Sequence, residues 1–185
     1  MSKRVCPWWL GYLLISPLRR FLQDPEEIVI PYVKEGMSVI DIGCGMGFFS
    51  LPLAKLVGET GKVVCIDLQK KMIKSLMGRA LKAGLSDRID ARICRQNSLG
   101  LSDIAGKIDF ALAFALVHEV PDKARFFTEI YNAIKQTGEL LLAEPKGHVS
   151  KLDFEKTVSI AQGVGFEVLH DLKIQRSRAV LLLRR

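Results

Sequence analysis

A glycine-rich turn lies between an apolar strand and a helix in the segment VIDIGCGMGFFSLPLA, residues 39–54. Ser38–Ile42 is predicted as a buried strand, and Gly43, Gly45 and Gly47 follow it closely. Glycine adopts backbone conformations that other residues avoid, and it lets a ligand approach the bare main chain. A strand-to-helix turn also directs helix N–H groups and the positive end of the helix dipole towards one crevice. The turn therefore predicts a nucleotide-like ligand site.

The rest of the chain alternates between predicted strands and helices. The predicted strands after the first are residues 62–67, 89–94, 108–114, 139–143, 166–174 and 177–183. Apolar strands that alternate with helices indicate a parallel sheet covered on both faces, and the last two strands, which have no helix between them, must pair as an antiparallel hairpin. The predicted fold is α/β, a doubly wound, seven-stranded, Rossmann-like sheet that is mostly parallel with a C-terminal antiparallel hairpin. Thr137 and Gly138 are predicted to end the helix that precedes the fifth strand.

The length of 185 residues fits one domain with a full core and is too short for two of ordinary size. Residues 1–34 are predicted as an N-terminal helical arm or lid, and residues 35–185 as the ligand-binding domain. The net charge of +7 lies in two basic ends, residues 1–20 and 171–185. Such ends either attract an anionic substrate, nucleic acid or lipid surface, or simply aid solubility.

The four cysteines lie far apart, with no CxxC pair and no grouping with histidine. This spacing predicts no metal site and no disulfide framework, and it favours a reducing, cytoplasmic setting. Cys44, inside the glycine turn, is the cysteine expected to approach a ligand.

The N-terminal arm contains an uncharged run, Val5–Leu18, which includes Trp8, Trp9 and Tyr12. A membrane span needs about 20 apolar residues, so this run is too short to predict a transmembrane segment. We interpret it as a short helix that packs on the domain or covers the ligand crevice as a lid. Peripheral membrane contact is a third alternative.

The glycine spacing departs from the G-x-G-x-x-G fingerprint of dinucleotide sites, because position 48 is phenylalanine and the third glycine is Gly47. This departure counts against an NAD-dependent oxidoreductase. Asp67 ends the second predicted strand, where a carboxylate accepts two hydrogen bonds from a ribose diol. The alternative is that Asp67 caps the helix that begins near Lys70.

The segment Asp41–Gly47, the strand ending at Asp67, the helix-strand unit ending at residues 137–142 and the terminal hairpin together resemble the class I S-adenosylmethionine-dependent methyltransferases. The resemblance covers residues 35–185 and implies S-adenosylmethionine as the cofactor. The cofactor-binding positions that it implies are Asp41, Gly43, Cys44, Gly45, Asp67, Leu68, Asn97, Ser98 and Phe114.

These positions have different implied roles. Asp41 and the backbone of Gly43 and Gly45 would hold the methionine part, Asp67 the ribose hydroxyls, and Leu68 would pack on adenine. Asn97 and Ser98 occupy the turn where the family commonly has an acid that reads the adenine amino group. Phe114 ends the fourth strand, beside the expected position of the methyl group.

Methyl transfer from a sulfonium mainly requires an enzyme to align the acceptor and exclude water, and a base helps where the acceptor must lose a proton. His118, just after the fourth strand, is the candidate base, and the alternative is a histidine that only fixes its loop. Glu144 is interpreted as part of the end of the fifth strand.

The expected acceptor is a small molecule. The Asn-Pro-Pro-Tyr type of tetrapeptide, which methyltransferases of nucleic-acid amino groups carry, is absent from the sequence and argues against nucleic acid. The alternative functions are a catalytically silent protein that binds an adenosine ligand and, with less support, an NAD-dependent oxidoreductase.

Overall fold

A computed structural model describes residues 23–185 of the chain. The predicted arm around Trp8 and Trp9 lies outside the described residues, so its alternatives stay predictions. The strands are β1 (Ser38–Ile42), β2 (Lys62–Asp67), β3 (Ile89–Ile93), β4 (Ile108–Phe114), β5 (Ile134–Pro145), β6 (Phe166–Leu172) and β7 (Ser177–Arg184). The helices are α1 (Pro25–Val29), α2 (Ser50–Leu56), α3 (Lys70–Lys82), α4 (Lys123–Ala133) and α5 (Lys151–Val164).

The predicted α/β fold class is confirmed. The seven strands form one sheet in the order β3-β2-β1-β4-β5-β7-β6. The pairs β1–β2, β2–β3 and β4–β5 are parallel, whereas β7 pairs antiparallel with both β5 and β6. The final hairpin is therefore antiparallel as predicted, and its second strand inserts between the first strand and β5.

The part of the chain up to Cys94 builds its core from β1, β2 and one face of α3. Strand β1 is buried from Val39 onwards, and β2 is buried between its exposed first residue and Asp67. Helix α3 buries Met72, Ile73, Leu76 and Ala80 at helical spacing, whereas Leu81, which the same periodicity includes, is 71% exposed. Before β1, Asp24 caps α1 by accepting the Glu26 N–H at 2.9 Å, and Pro25 occupies the first helical position.

The part from Arg95 onwards has its own core between β4, β5 and β7 and the helices α4 and α5. Strand β4 is buried at every residue except Asp109, and Leu140–Ala143 of β5 are buried without interruption. Helix α4 contributes Phe126 and Phe127, whose rings meet edge to face with centroids 5.4 Å apart. Continuous burial of a strand requires cover on both of its faces, which explains the unbroken apolar sequence.

The prediction for Thr137 and Gly138 is wrong, because α4 already ends at Ala133 and both residues lie inside the long strand β5. The ladder between β4 and β5 shifts register there, with Ile108 opposite Ile134 but Phe110 opposite Glu139. Thr137 has a φ of +66°, so the backbone forms a bulge that sequence patterning reads as a helix end. Turn-forming residues such as threonine and glycine occur both at β-bulges and at helix ends, so the sequence pattern does not distinguish the two.

Among the helices of the described residues, none is long and apolar enough to cross a membrane.

Candidate functional site

The glycine turn leaves β1 with three positive φ angles, +71° at Gly43, +54° at Gly45 and +88° at Gly47. The N–H groups of Gly43 and Cys44 both donate to the carbonyl of Ile66 on β2, at 2.8 and 3.0 Å. Gly47 N–H donates to the Cys44 carbonyl at 3.0 Å. These N–H groups are therefore satisfied within the protein, so Gly43 would offer a cofactor its carbonyl oxygen rather than its N–H.

Glycine is needed at different positions of this turn for different steric reasons. A Cβ at Gly47 would lie 2.5 Å from Leu76 Cδ1, so this glycine allows α3 to pack against the turn. A Cβ at Gly45 would meet no atom within 4 Å. Gly47 therefore serves packing, whereas the space above Gly45 is open to a ligand.

Asp67 lies beside that open space, at the end of β2. Its Oδ2 accepts the Gly45 N–H at 3.0 Å, and its Oδ1 accepts the Gln69 N–H at 2.8 Å. Burial raises the pKa of this carboxyl, and the backbone hydrogen bonds from Gln69, Gly45 and Leu68 oppose that shift. A carboxylate has about four acceptor positions, so these bonds are compatible with further bonds to a diol.

The structure also supports the alternative interpretation of Asp67, since the bond to Gln69 orders the entry to α3, whose N-cap is Gln69. The two roles do not exclude each other, because each oxygen of the carboxylate accepts one backbone N–H and retains a second acceptor position.

Asp41 is nearly inaccessible, with 3% of its surface exposed, and its Oδ2 accepts the Ser50 hydroxyl at 2.6 Å. Burial raises the pKa of Asp41 to about 7; the nearby Asp67 adds to the shift and the Ser50 hydrogen bond reduces it. Near neutral pH this carboxyl is therefore poised between its acid and its anion. A cationic ligand group would favour the anion.

The thiol of Cys44 faces the interior. Interaction with the Cys65 thiol, followed by burial, raises the pKa of Cys44 well above its usual value. The predicted approach of Cys44 to a cofactor would thus involve its backbone. Arg79 of α3 supports the same turn by donating to the Met46 carbonyl, and burial lowers the pKa of this guanidinium.

The other predicted cofactor-binding positions lie in the part of the chain from Arg95 onwards. Asn97 is exposed in a short turn closed by paired hydrogen bonds between Arg95 and Ser98. Glu129 of α4 anchors this turn: its Oε2 accepts from Ser98 Oγ at 3.1 Å and from the Leu99 N–H at 2.7 Å. Phe114 is buried at the end of β4.

His118 lies in a 3₁₀ turn, Val117–Glu119, that follows β4, and it contacts the end of β5. Its ring Nδ1 is 2.6 Å from Glu144 Oε2, and its backbone N–H donates to Glu144 Oε1 at 3.0 Å. Glu144 is 1% exposed, whereas the His118 side chain is 25% exposed. The buried carboxylate thus contacts both the backbone N–H and the partly exposed ring of His118.

Sequence reasoning missed Glu129 as the anchor of the Ser98 turn, and it interpreted Glu144 only as a strand end. Each contacts its partner across a separation of 26 to 31 positions, which no local pattern reveals. The available signal for Glu144 was its charge at the end of an otherwise apolar strand, since such a charge needs a partner.

The comparisons with known proteins agree with the fold. A methyltransferase domain family matches residues 33–174. The chain belongs to this methyltransferase family. The crystal structure of a SAM-dependent methyltransferase from Aquifex aeolicus superimposes with a TM-score of 0.87 at 25% identity, covering 98% of this chain and 100% of that one.

Curated relatives of this methyltransferase domain are longer. The ubiquinone/menaquinone biosynthesis C-methyltransferase UbiE of Hydrogenovibrio crunogenus is 29% identical over 64% of this chain and 46% of its own length. The demethylmenaquinone methyltransferase of Lactiplantibacillus plantarum is 29% identical over 61% of this chain and 47% of its own length. The chain thus spans somewhat less than half of these two relatives.

The residues of this methyltransferase domain fit the cofactor that the family uses, S-adenosylmethionine. The open position above Gly45 provides room for it, and the adjacent Asp67 carboxylate can accept from hydroxyl groups. Asp41 supplies a buried acid that a ligand's ammonium group would favour as the anion.

Proposed function

We propose that this chain transfers a methyl group from S-adenosylmethionine to a small-molecule acceptor. The observation that carries the proposal is the pairing of the Asp67 carboxylate with the Gly45 N–H, next to unfilled space. Membership of the methyltransferase family supports the same reaction and gives no support to an NAD-dependent oxidoreductase or a silent binding protein.

In this proposal the glycine turn and the two aspartates hold the cofactor. Asp67 accepts from the ribose diol, and the ionised Asp41 pairs with the ammonium of the methionine part. Leu68 packs on adenine, and the turn at Asn97 and Ser98 contacts the base. The bound cofactor supplies an electrophilic methyl group on a sulfonium, and the chain aligns the acceptor and keeps water away.

For the acceptor we propose a hydroxylated aromatic ring of the quinol type. The support is that one of the two relatives described above is a ubiquinone/menaquinone biosynthesis C-methyltransferase and the other a demethylmenaquinone methyltransferase. A basic N-terminal arm with Trp8 and Trp9, residues 1–34, would cover such an apolar ring. The free thiols of Cys44, Cys65 and Cys94 favour a cytoplasmic location.

Isothermal titration with S-adenosylmethionine and S-adenosylhomocysteine tests the cofactor part of the proposal. We expect both to bind with one site per chain and NAD⁺ not to bind. Absence of binding by both adenosyl compounds would refute it. Methyl transfer from labelled cofactor to 1,4-dihydroxynaphthalene, kept reduced, then tests the acceptor class.

The variant Asp67→Ala tests the ribose contact. Loss of two charge-assisted hydrogen bonds should weaken cofactor binding by roughly 2–4 kcal/mol. Asp87→Ala is the control, because Asp87 is exposed and only its backbone carbonyl is bonded, to Lys62 Nζ. An affinity unchanged in Asp67→Ala would remove this residue from the site.

A further inference from the structure

His118 and Glu144 make two contacts with each other, whereas one would be enough to attach the loop to β5. Glu144 lies on β5, and its two oxygen atoms are both used by one residue, the backbone N–H and the ring of His118. A carboxylate that is 1% exposed is costly unless it is paired and hydrogen bonded, so removing the His118 contacts would leave Glu144 as an unsatisfied buried group.

The loop that carries His118 is also fixed at its start. Ala115, the first residue after β4, has a φ of +59°, a left-handed conformation that non-glycine residues rarely adopt. Its N–H donates to the Ala143 carbonyl of the neighbouring strand β5 at 2.7 Å. Strained backbone of this kind persists where surrounding contacts determine it, and it is frequent at functional sites.

The contact with Glu144 determines which ring nitrogen carries the proton. An ionised carboxylate only accepts hydrogen bonds, so Nδ1 is the donor and the neutral ring has its lone pair on Nε2. Glu119 and His148 are also near the ring: Glu119 Oε1 is 3.9 Å from Nε2, and the ring centroid of His148 is 6.1 Å away. Nε2 is thus the nitrogen directed away from the buried carboxylate, on a side chain that remains 25% exposed.

We propose that His118 is the general base of the methyl transfer and that Glu144 is its positioning residue. This rests on the function proposed above. It identifies the acceptor as one whose methylated atom must lose a proton, such as a phenol oxygen or the ring carbon of a quinol.

In the methyl transfer an electron pair of the acceptor would form the bond to the methyl carbon, and the carbon–sulfur bond would break with its pair moving to sulfur. The acceptor proton passes to His118 Nε2, and the Glu144 carboxylate stabilises the imidazolium that forms. The proton then leaves to solvent, which restores the neutral ring.

The first experiment needs no acceptor. Nitrogen-15 NMR of the histidine side chains, at a pH where the rings are neutral, reports which nitrogen carries the proton. We expect a pyrrole-like Nδ1 and a pyridine-like Nε2 for His118, assigned by the signal missing from His118→Asn, since the chain has three histidines. A protonated Nε2 and bare Nδ1 in the neutral ring would overturn the proposal.

The variant Glu144→Gln tests whether Glu144 determines the tautomer of His118. A glutamine oxygen can accept the His118 backbone N–H while its amide group donates to Nδ1, so the variant should move the ring proton to Nε2. Turnover should then fall about 100-fold or more with little change in the KM for S-adenosylmethionine, because the ring no longer accepts a proton. An unchanged tautomer together with unchanged turnover would show that Glu144 does not position a base.

His118→Asn separates the base from the anchor. The asparagine amide can still donate to Glu144 and fix the loop, but the variant lacks Nε2. With 1,4-dihydroxynaphthalene we expect kcat to fall by about 10²- to 10⁴-fold, with S-adenosylhomocysteine affinity and melting temperature close to those of the unmodified chain. His170→Asn, on the exposed part of β6, is the matched control and should retain full turnover.

The outcomes separate this inference from the proposal on which it rests. Wild-type turnover in His118→Asn would reduce His118 to a loop anchor and overturn the inference. Binding of S-adenosylmethionine without methylation of 1,4-dihydroxynaphthalene would overturn the acceptor class. Absence of cofactor binding would refute the proposed function, whereas the tautomer measurement would still decide the arrangement of His118 and Glu144.

Discussion

At the scale of single residues, Gly45 and Gly84 form a matched pair. Both have positive φ angles, +54° and +67°, and a Cβ at either position would meet no atom within 4 Å. Alanine should cost each variant roughly 1–2 kcal/mol of unfolding free energy through the left-handed backbone. Since only Gly45 borders the proposed cofactor site, we expect Gly45→Ala alone to lose affinity for S-adenosylhomocysteine, by about tenfold or more.

Urea unfolding and isothermal titration on the two variants measure these effects side by side. Equal affinity in Gly45→Ala and Gly84→Ala would show that the cofactor does not approach Gly45. Gly47→Ala should behave differently from both, because its Cβ would lie 2.5 Å from the Cδ1 of the fully buried Leu76 and strain the packing of the fold itself.

Asp41 predicts a pH dependence of cofactor binding. Its pKa of about 7 in the free protein means that ionisation must accompany pairing with an ammonium group. Affinity for S-adenosylmethionine should therefore rise by about tenfold between pH 6 and pH 8, as the ionised fraction grows. In Asp41→Asn this rise in affinity with pH should disappear. An equal pH dependence in both proteins would contradict the proposed pairing of Asp41 with the ammonium group.

The same carboxyl affects the stability of the free protein with the opposite sign. Folded Asp41 retains its proton up to about pH 7, whereas the unfolded chain releases it near the ordinary value of 3.8. The stabilisation is complete below that value and is lost as pH rises towards 7. The difference in unfolding free energy between the unmodified chain and Asp41→Asn should decrease over this interval, which urea titrations at several pH values would measure.

The local part of the site was predictable from the sequence, and the part made by distant partners was not. Glycine spacing and the carboxylate at the end of β2 follow from backbone chemistry, so the proximity of Gly45 and Asp67 could be expected. The support from Arg79 and Glu129, and the role of Glu144, depend on residues 26 to 33 positions from their partners. Only packing of complete elements brings such pairs together.

At the scale of elements, the bulge in β5 shows why the fold was predictable and this strand boundary was not. Alternation of strands and helices determines the class of sheet, but a bulge and a helix end both use turn-forming residues. Gly138 lies where a Cβ would be 2.4 Å from Ile134 Cγ2 and 2.9 Å from the Asp109 carbonyl oxygen. This glycine therefore permits a close approach of β4 and β5.

Gly138→Ala should accordingly destabilise the sheet by about 1–3 kcal/mol, because neither the ladder nor the buried isoleucine can move away freely. Gly78→Ala is a control of opposite sign. Gly78 is exposed within α3 and a Cβ there meets nothing within 4 Å, so alanine should add up to about 1 kcal/mol through helix propensity. Urea midpoints that shift in the same direction for both variants would contradict this account.

At the scale of the whole molecule, the proposed sites fall within the region that defines the family. Residues 33–174 match the methyltransferase domain and include the glycine turn, Asp67 and the pair of His118 with Glu144. The similarity to the Aquifex aeolicus structure extends over 98% of the chain. The cofactor is therefore a property of the shared domain, whereas the acceptor has to be established for this chain itself.

Cofactor binding should stabilise the whole chain against heat. A ligand that binds only the folded state adds about 2.7 kcal/mol at 100 times its Kd. For a protein of this size each kcal/mol raises Tm by roughly 2–4 °C, so S-adenosylhomocysteine at that excess should raise Tm by about 5–11 °C. Asp67→Ala at the same ligand concentration should show a much smaller rise. NAD⁺ shares the adenosine but not the methionine part that Asp41 would bind, so a rise with NAD⁺ as large as with S-adenosylhomocysteine would contradict a site selective for the methyl donor.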